Sequence, residues 1–553
     1  MLYLIGLLFF SVPVLFGLNR LKIRYIFAWF WTVFASTVVF GGFLLLLIPG
    51  QVMTPREFPL LAWGAVSLDA ATGSSGYDLT LVLDAISGPF ALALAGLGLV
   101  VVLTSAQRLA DAQNAPPSDI IPIPFEDWRN QAAILLLMGW GMLGVLAGNP
   151  LTLLLAWAGA DLSGLWALLA RIRGREASER IVLDFSARAA GILLLIWAMI
   201  AAWGAGSPLG WGHFPEEAHV ILLLACGFRL GVVPLQVYFF EDLPLRRGVG
   251  MMTRMAIPVV SSLVLLGRVG EMPLTSFIGG ALLALTAVTG LYAGGSWLAA
   301  KNELEGRAFW VLGMGALALA SAIRGEAVAV LAWGLALLLG GSGLLLYSVQ
   351  SQWVRLFVGV GGLMLTALPG TPVAAGMGLY TGALDVWALP FVLVHGLLLA
   401  GFVRHWARER EEGQVAVRAI RGAYALGLLI LPVVWGLAGY FGGAGTRMAA
   451  WWTAGVGVIL AGGLWVWVQR RLKEEKNGDQ RIKIRPPSLL GEMLRRVFSF
   501  HWFYRMFWRA YRLMGGGVAF VSVLLEGEAG ILWTLLLLFL LISLITTQVG
   551  AGG

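Results

Sequence analysis

The sequence predicts an all-α polytopic membrane protein with about sixteen transmembrane helices. Hydrophobic residues make up 59% of the 553 residues and charged residues only 12%, whereas an ordinary soluble domain is roughly 25% charged. Apolar stretches of about 20 residues, the length of a helix that crosses a bilayer, recur along the chain. The loops between them alternate between rich and poor in Lys and Arg. The lipid bilayer is therefore the expected medium of this chain.

The apolar stretches place the predicted spans in order. Six of them fill the first 204 residues, which leaves little room for a soluble domain. The predicted spans cover residues 1–18, 26–48, 82–104, 131–148, 150–170, 186–204, 218–240, 250–267, 273–293, 307–322, 327–348, 355–380, 385–403, 420–441, 448–468 and 529–547.

The basic residues indicate the orientation of these spans. Most of the 38 Lys and Arg residues fall in alternate loops on one side, which the positive-inside rule assigns to the cytoplasm. The other side holds only four basic residues, Arg56, Arg268, Arg324 and Arg447. Both termini are therefore predicted to lie outside the cytoplasm.

One cation falls within an apolar span. Arg229 lies about halfway along the seventh predicted span, and a charge at that depth costs about 2.5 to 3.5 kcal/mol on insertion scales. It is followed by Gly231 and Pro234, and a proline inside a helix removes a backbone hydrogen bond and kinks or ends the helix. Broken helices beside buried charges are how transporters build ion sites. This segment is the first candidate for function.

Residues 469–527 differ from the rest of the chain. A charged linker ends at Pro486 and Pro487, and the following stretch mixes Arg with Trp, Phe and Tyr at helical spacing. This pattern predicts an amphipathic helix along the membrane surface before a final span in residues 528–553. A solvated cytosolic helix stays open as the alternative.

Composition excludes several function classes. A single cysteine, Cys226, excludes a disulfide framework and a cysteine-based metal site. The net charge of +8 is explained by orientation in the membrane, so nucleic-acid binding is not expected. The sequence contains no phosphate loop of the Walker type, no nucleotide fingerprint after a strand and no HExxH. No catalytic residue, metal or cofactor is therefore predicted.

Four stretches, taken in order, resemble the antiporter-like membrane subunits of respiratory complex I, a family shared with Mrp cation antiporters and membrane-bound hydrogenases. They are similar to the family's third helix, its fifth helix, its broken seventh helix and its broken twelfth helix. The stretches are Leu81–Ser105 with Asp84 and Ser87, Leu153–Ala170, Gly227–Asp242 and Gly361–Tyr380. The resemblance implies a subunit that works beside other membrane subunits and handles protons or sodium ions.

The chain departs from the family at the residues of the proton path. Ala158 occupies the place of the usual glutamate on the fifth helix, and Asp161 follows three residues later on roughly the same face. Arg229 occupies the place of the seventh-helix lysine, and Gln236 that of a histidine. An arginine keeps its proton where a desolvated lysine can release it. We therefore expect Asp161 and Arg229 to form a fixed pair within the membrane, less than about 8 Å apart.

For each of four polar residues, the sequence allows both a structural role and a role in transport. His395 is the only histidine predicted deep in a span, and it is either a remnant of a relay or a hydrogen-bonding residue between helices. Asp161 likewise is either part of an ion path or part of a structural pair. Asp84 and Asp385 lie near span ends, where capping of a helix is expected instead of transport.

Breaks at Pro234 and Pro369 fall at corresponding places in two parts of the chain. Such correspondence predicts two inverted five-helix repeats, spans 4 to 8 and 9 to 13, with broken helices 7 and 12. The predicted organisation lists N-terminal helices and a loop, a first repeat, a second repeat, two C-terminal helices, the linker with its surface helix, and a final anchor. These parts cover residues 1–130, 131–268, 269–403, 404–468, 469–527 and 528–553.

The resemblance implies a membrane-arm subunit of a complex similar to NADH:quinone oxidoreductase, in a bacterial plasma membrane, with a degraded or modified proton path. Whether it takes part in an enzymatic translocase is left open. One alternative is an active proton or sodium path through Asp161, His395 and water. Another is a membrane partner of a soluble enzyme, such as an inorganic-carbon-uptake or hydrogenase module.

Overall fold

Helices account for nearly all of the secondary structure in the computed structural model. The structure describes residues 1–22, 25–48, 55–61, 78–105, 128–170, 175–207, 210–211, 214–233, 248–270, 273–274, 277–347, 352–380, 388–408, 418–443 and 451–476, with Arg509, Leu538 and Phe539. The chain divides into two compact units, Met1–Ser488 and Leu489–Gly553. The second unit contributes only the last three residues named, so the elements below belong to the first unit.

Fifteen helices lie in the described part of the chain, one for each of the first fifteen predicted spans. They are α1 (Leu2–Arg20), α2 (Tyr25–Leu47), α3 (Ser87–Ser105), α4 (Trp128–Val145), α5 (Pro150–Leu169), α6 (Arg175–Gly204), α7 (Glu216–Leu230), α8 (Val249–Val269), α9 (Phe277–Ala299), α10 (Arg307–Ile323), α11 (Ala327–Leu346), α12 (Gln352–Met364), α13 (Ala388–Ala407), α14 (Arg418–Phe441) and α15 (Trp451–Lys476).

Among the described residues, eleven helices are long and apolar enough to cross a membrane. The prediction of a helical polytopic membrane protein is confirmed at that level. The predicted last span, 529–547, and most of the predicted surface segment lie outside the described residues. Where that segment begins, the structure corrects the prediction, because α15 continues to Lys476 and includes residues assigned to a charged linker.

The chain is not purely helical. Two strands, β1 (Arg56–Leu61) and β2 (Leu79–Leu83), pair in antiparallel fashion, with Arg56 opposite Leu83. The third predicted span began at residue 82, but α3 begins only at Ser87. Two features separate strand from helix here. Residues 79–83 are rich in apolar and β-branched side chains, which favour a strand, and Asp84 caps the helix that follows.

The carboxylate of Asp84 marks the start of α3. Its Oδ1 accepts hydrogen bonds from the backbone N–H groups of Ile86 and Ser87, at 3.0 and 2.6 Å. These are donors that the first turn of a helix leaves without an intrahelical partner. Asp84 also pairs with Arg268, whose NH2 lies 3.1 Å from Oδ2. The predicted capping role of Asp84 is confirmed, whereas Asp385 lies outside the described residues.

The core of the bundle is formed by helices that are covered on all sides. Every residue of α3 is buried, and α8, α10 and α11 are also almost wholly buried. Helix α3 packs against α2, α4 and α14, and α11 packs against α10. By contrast, α1, α2 and α6 bury one face and expose the other.

Helix α7 ends within the predicted span 218–240, at Gly231, one of the two residues predicted to break it. Gly231 ends α7 in a left-handed conformation with φ +73°. The N–H groups of Gly231 and Val232 donate to Phe228 and Gly227, which is the Schellman pattern. Because only glycine adopts this conformation without strain, Gly231 ends the helix three residues before Pro234. Pro234 itself lies outside the described residues.

Helix α12 ends at Met364, well short of the predicted residue 380. Ala367 follows with φ +56° and Gly370 with φ +85°, on either side of Pro369. A buried alanine with positive φ is uncommon and marks a local departure from regular backbone. The chain then forms a 3₁₀ helix over Ala374–Tyr380. The single long span predicted over residues 355–380 is therefore wrong, while the predicted break at Pro369 is observed.

Two of the buried helices contain a π-helical turn, Met252–Ala256 in α8 and Ala336–Gly340 in α11. Such turns release backbone carbonyls from the regular helical pattern and occur frequently at functional sites. In both helices a side chain from a neighbouring helix uses a carbonyl in the turn. Arg188 donates to the carbonyl of Thr253, and Trp310 donates to that of Leu337.

Candidate intramembrane charge site

Asp161 and Arg229 form a bidentate ion pair in the interior of the bundle. Arg229 NH1 lies 2.7 Å from Oδ2 of Asp161, and NH2 lies 3.2 Å from Oδ1. The carboxylate is 2% exposed and the guanidinium residue 1% exposed. The fork of an arginine matches a carboxylate in this geometry better than any other cation does. The predicted pair is therefore present, well within the predicted distance.

Local sequence explains how α5 and α7 bring the pair together. Asn149 caps α5 by accepting a hydrogen bond from the N–H of Thr152 at 2.8 Å, and Pro150 follows as the first helical residue. Asp161 then lies three turns into α5. Arg229 lies in the last turn of α7, immediately before Gly231 ends the helix. Arg229 thus lies at the C-terminal end of a helix, where the helix dipole stabilises a cation.

The guanidinium of Arg229 is packed on two further sides. Its Cζ lies 4.2 Å from the ring centroid of Trp157, in cation–π contact. The indole N–H of Trp157 donates to Oγ of Ser261 on α8, which holds the ring in place. On the other side is Gly191 of α6, where a Cβ atom would lie 2.6 Å from Arg229 Cγ. Arg229 is therefore held by α5, α6 and α8 as well as by its carboxylate.

A second carboxylate and a second arginine extend the site. Arg188 on α6 has its Nε 3.8 Å from Oδ1 of Asp161 and its NH2 2.7 Å from Oδ2 of Asp184. Asp184 also pairs with Arg254 of α8 at 2.8 Å. We call these five residues, from Arg229 through Asp161, Arg188 and Asp184 to Arg254, the charge ladder. It connects α5, α6, α7 and α8.

The outer part of this ladder corrects the sequence prediction. The basic residues that indicate the orientation include Arg188 and Arg254 on the cytoplasmic side, although both fall at the starts of predicted spans, 186–204 and 250–267, and Asp161 is the only carboxylate predicted to pair within the membrane. In the structure α6 begins at Arg175, eleven residues before the predicted span, so that Asp184 and Arg188 lie on a buried helical face. The available signal was their i, i+4 spacing, which places opposite charges side by side on a helix.

His395 lies apart from the charge ladder, and among the described residues it forms no hydrogen bond with a carboxylate. Its Nε2 is 2.9 Å from the carbonyl oxygen of Leu365, at the broken end of α12. Since a carbonyl only accepts, Nε2 carries the proton and Nδ1 does not. The ring meets Trp333 edge to face, with the centroids 5.0 Å apart. His395 thus satisfies a carbonyl that the break releases.

The interior of α10 and α11 is filled by indole rings. Beyond Arg307, neither helix carries an ionisable side chain. Trp310 and Trp333 are fully buried and donate to the carbonyls of Leu337 and Gly376, at 3.1 and 3.0 Å. Glycine makes room for each ring, because a Cβ at Gly341 would collide with Trp310 Nε1 and one at Gly376 would lie 2.7 Å from Trp333. The two indole rings therefore fill the space beside these glycines, and their N–H groups are hydrogen-bonded to backbone carbonyls.

Within the described residues there is no group of three or more His, Cys, Asp or Glu side chains close enough to hold a metal ion. The ladder contains two carboxylates and three guanidiniums, and the guanidiniums occupy the carboxylate oxygens. Its chemistry is that of a charge-assisted hydrogen-bond network, in which the arginines do not release protons.

Comparisons with known proteins match this architecture to three membrane complexes. No protein-family model matches the sequence, and no curated protein matches it. A chain of the Mrp complex from Dietzia sp. DQ12-45-1b superposes with a TM-score of 0.63 at 15% identity, covering 98% of this chain and 63% of that one. The protein thus spans about two thirds of the length of the Mrp chain.

Two respiratory complexes contain similar chains. The archaeal membrane-bound sulfane sulfur reductase gives a TM-score of 0.60 at 14% identity, covering 98% of this chain and 99% of that one. Respiratory complex I from Thermus thermophilus with bound aureothin gives 0.57 at 17% identity, covering 78% and 97%. All three are similar to the present chain in fold. The chain therefore has the fold of the antiporter-like membrane subunits, as its sequence predicted.

Proposed function

We propose that this protein is a membrane-arm subunit of a multi-subunit complex of the Mrp and complex I type, in which the usual ion path is degraded. The observation that carries the proposal is the bidentate pair between Asp161 and Arg229. In an acid–lysine pair either partner can change protonation. Here the cation is an arginine, which keeps its proton, and both carboxylate oxygens are occupied.

The indole-filled interior supports the same reading. A proton relay needs titratable side chains or water within hydrogen-bond reach of one another. Helices α10 and α11 carry no titratable side chain beyond Arg307, and Trp310 and Trp333 fill the space beside Gly341 and Gly376 and donate to the carbonyls of Leu337 and Gly376. The subunit would then serve as a scaffold, or as a modified half-channel, beside other membrane subunits that conduct ions.

A second candidate function is an active proton or sodium path through Asp161, His395 and water. One observation favours it: Nδ1 of His395 is buried and has no hydrogen-bond partner among the described atoms. The ring therefore keeps one nitrogen that can accept a proton. This path requires water to enter between His395 and the charge ladder.

Partners and location follow from the same proposal. All three similar structures are membrane complexes, so other membrane subunits are the expected partners, and protons or sodium ions the expected cargo of the assembly. We place the chain in a bacterial plasma membrane with both termini outside, because Lys and Arg concentrate in the loops on one side.

The decisive experiment compares ion flux in proteoliposomes that contain the assembled complex. Asp161→Asn and His395→Ala remove the two candidate relay residues. Because Asp161→Asn strands a buried arginine, the double variant Asp161→Asn/Arg229→Gln removes both charges together. Asp84→Asn/Arg268→Gln is the control, since it removes another Asp–Arg pair, formed by a single contact of 3.1 Å to a partly exposed carboxylate, that shares no contact with the first.

With a degraded path, driven proton and sodium flux in each assembled variant equals that of the native complex. The active-path alternative predicts that Asp161 and His395 variants assemble, lose flux by at least tenfold, and differ in this from the Asp84/Arg268 control. That second result would replace the proposed function by the alternative.

A further inference from the structure

We propose that Arg188 is an alternative partner for Asp161, so that this carboxylate exchanges between Arg229 on α7 and Arg188 on α6. The inference rests on the proposed function, because such an exchange moves charge across the bundle without moving a proton. It assigns a positioning role to Arg188, whose charge the positive-inside pattern only counts toward the cytoplasmic side.

The geometry shows one formed contact and one that is nearly formed. Oδ1 of Asp161 lies 3.2 Å from NH2 of Arg229 and 3.8 Å from Nε of Arg188. The Nε–H of Arg188 is buried and has no hydrogen-bond partner among the described atoms. Charge-assisted N–H···O bonds measure about 2.7 to 2.9 Å, so a shift of about 1 Å would close the second contact.

Arg188 is held so that Asp161 must be the group that moves. Its NH2 donates to Asp184 at 2.7 Å, and its NH1 donates to the carbonyl of Thr253 at 3.3 Å. Two anchors on different helices, α6 itself and the π-helical turn of α8, prevent the guanidinium from turning. Its third donor therefore stays directed at Asp161.

Arg229 keeps partners when the carboxylate leaves. Its guanidinium faces the ring of Trp157 at 4.2 Å, and its NH1 lies 3.4 Å from the carbonyl oxygen of Arg188. A buried cation that lost its only partner would be strongly destabilised. These two contacts of Arg229 do not depend on Asp161. In either position of Asp161, both Arg229 and Arg188 therefore keep a hydrogen-bond acceptor or an aromatic ring as a partner.

Exchange would couple the broken end of α7 to the opposite end of the ladder. When Asp161 approaches Arg188, negative charge moves toward α6, and Arg188 shares Asp184 with Arg254 in the π-helical turn of α8. A displacement at the end of α7 is thereby transmitted to α8 through hydrogen-bonded side chains. Such a two-position element is what a subunit without a proton relay could use to transmit a change to its neighbours.

A double-mutant cycle tests the exchange. The melting temperature of the assembled complex is measured in lipid nanodiscs for Arg188→Gln, Arg229→Gln and the double variant, with and without Asp161→Asn. If Arg188 takes over Asp161 when Arg229 is absent, the double variant loses more than the sum of the single losses. The excess disappears in the Asp161→Asn background. Additive losses in both backgrounds would overturn the proposal.

Arg268 supplies the matched control for this cycle. It is also a buried arginine paired with an aspartate, but it contacts Asp84 and shares no partner with Asp161. The double variant Arg229→Gln/Arg268→Gln should therefore show additive losses. Excess loss there would mean that non-additivity reflects general weakening of the bundle, and the proposal would fall.

A structure of the Arg229→Gln complex decides the matter if the double variant does not assemble. We expect the distance between Asp161 Oδ1 and Arg188 Nε to shorten to hydrogen-bond length, whereas an unchanged distance near 3.8 Å would refute the exchange. Neither result depends on ion flux. Transport through Asp161 would overturn the proposed function alone, and failure of the cycle would overturn the exchange alone.

Discussion

At the scale of single residues, Gly191 lets α6 approach the Asp161–Arg229 pair closely, because glycine has no side chain. Arg229 could not lie beside α6 if this position carried any side chain, since a Cβ would meet both Arg229 Cγ and the carbonyl oxygen of Ala225. The bidentate geometry with Asp161 depends on that approach. A glycine in the middle of a helix costs up to about 1 kcal/mol relative to alanine, so its presence here is explained by packing and not by helix propensity.

Replacing Gly191 by alanine should destabilise the protein by about 1 to 3 kcal/mol, the usual cost of overpacking a filled core. The added methyl group would lie 2.6 Å from Arg229 Cγ and 3.1 Å from the Ala225 carbonyl oxygen, and the backbone atom cannot move aside easily. Thermal unfolding in detergent micelles measures the loss. Gly204→Ala is the control on the same helix, because nothing lies within 4 Å of its Cβ position. Equal stability of the two variants would contradict this account.

At the scale of elements, broken helices need partners for the carbonyls that they release. Helix α7 satisfies its own end through the Schellman pattern at Gly231. Helix α12 instead relies on another helix, since the carbonyl of Leu365 accepts from His395 on α13. The 3₁₀ helix after the break is tied in the same way by Trp333, which donates to Gly376. Tertiary contacts hold both breaks, because beyond the Schellman pattern the carbonyl of Val232 accepts a hydrogen bond from Thr289 of α9 at 2.9 Å.

Replacing His395 by alanine should loosen the end of α12, because a buried carbonyl without a partner costs about 1 to 3 kcal/mol. We expect faster hydrogen exchange at the backbone amides of residues 361–376 and a matching loss of stability. His395→Gln, whose amide can donate to the same carbonyl, should retain most of the protection. Equal exchange in the alanine and native proteins would show that the break does not depend on this hydrogen bond.

At the scale of the whole molecule, the buried ionisable side chains of the described residues are distributed unevenly between the helices. Helices α5 to α8 share the charge ladder, four of whose five residues are buried, whereas α10 and α11 bury Trp310 and Trp333 and only one ionisable residue, Arg307. A paired charge network resists the loss of any one member, and close-packed rings resist the entry of water. Both arrangements keep helices in register.

Orientation of the whole bundle can be read by labelling single introduced cysteines. The native chain has one cysteine, and Cys226 is fully buried. Arg20→Cys and Glu305→Cys lie at exposed positions on the predicted cytoplasmic side, and Ala205→Cys lies at an exposed position on the other. A membrane-impermeant maleimide added to intact cells should label only the Ala205 variant. The reverse pattern would invert the predicted orientation.

The sequence by itself determined the membrane class, the order of the fifteen described helices, the end of α7 at Gly231, the break at Pro369 and the pairing of Asp161 with Arg229. Hydropathy and helix-ending residues act over short stretches of chain, and a single charged pair deep in apolar spans has few possible partners. Only the tertiary structure decided the positions of Asp184, Arg188 and Arg254, the hairpin of β1 and β2, and the indole-filled interior. A charged residue near the end of a span cannot be distinguished from a loop residue by sequence alone. The spaces that hold the rings of Trp310 and Trp333 are formed by Gly341 and Gly376, which come from other segments of the chain.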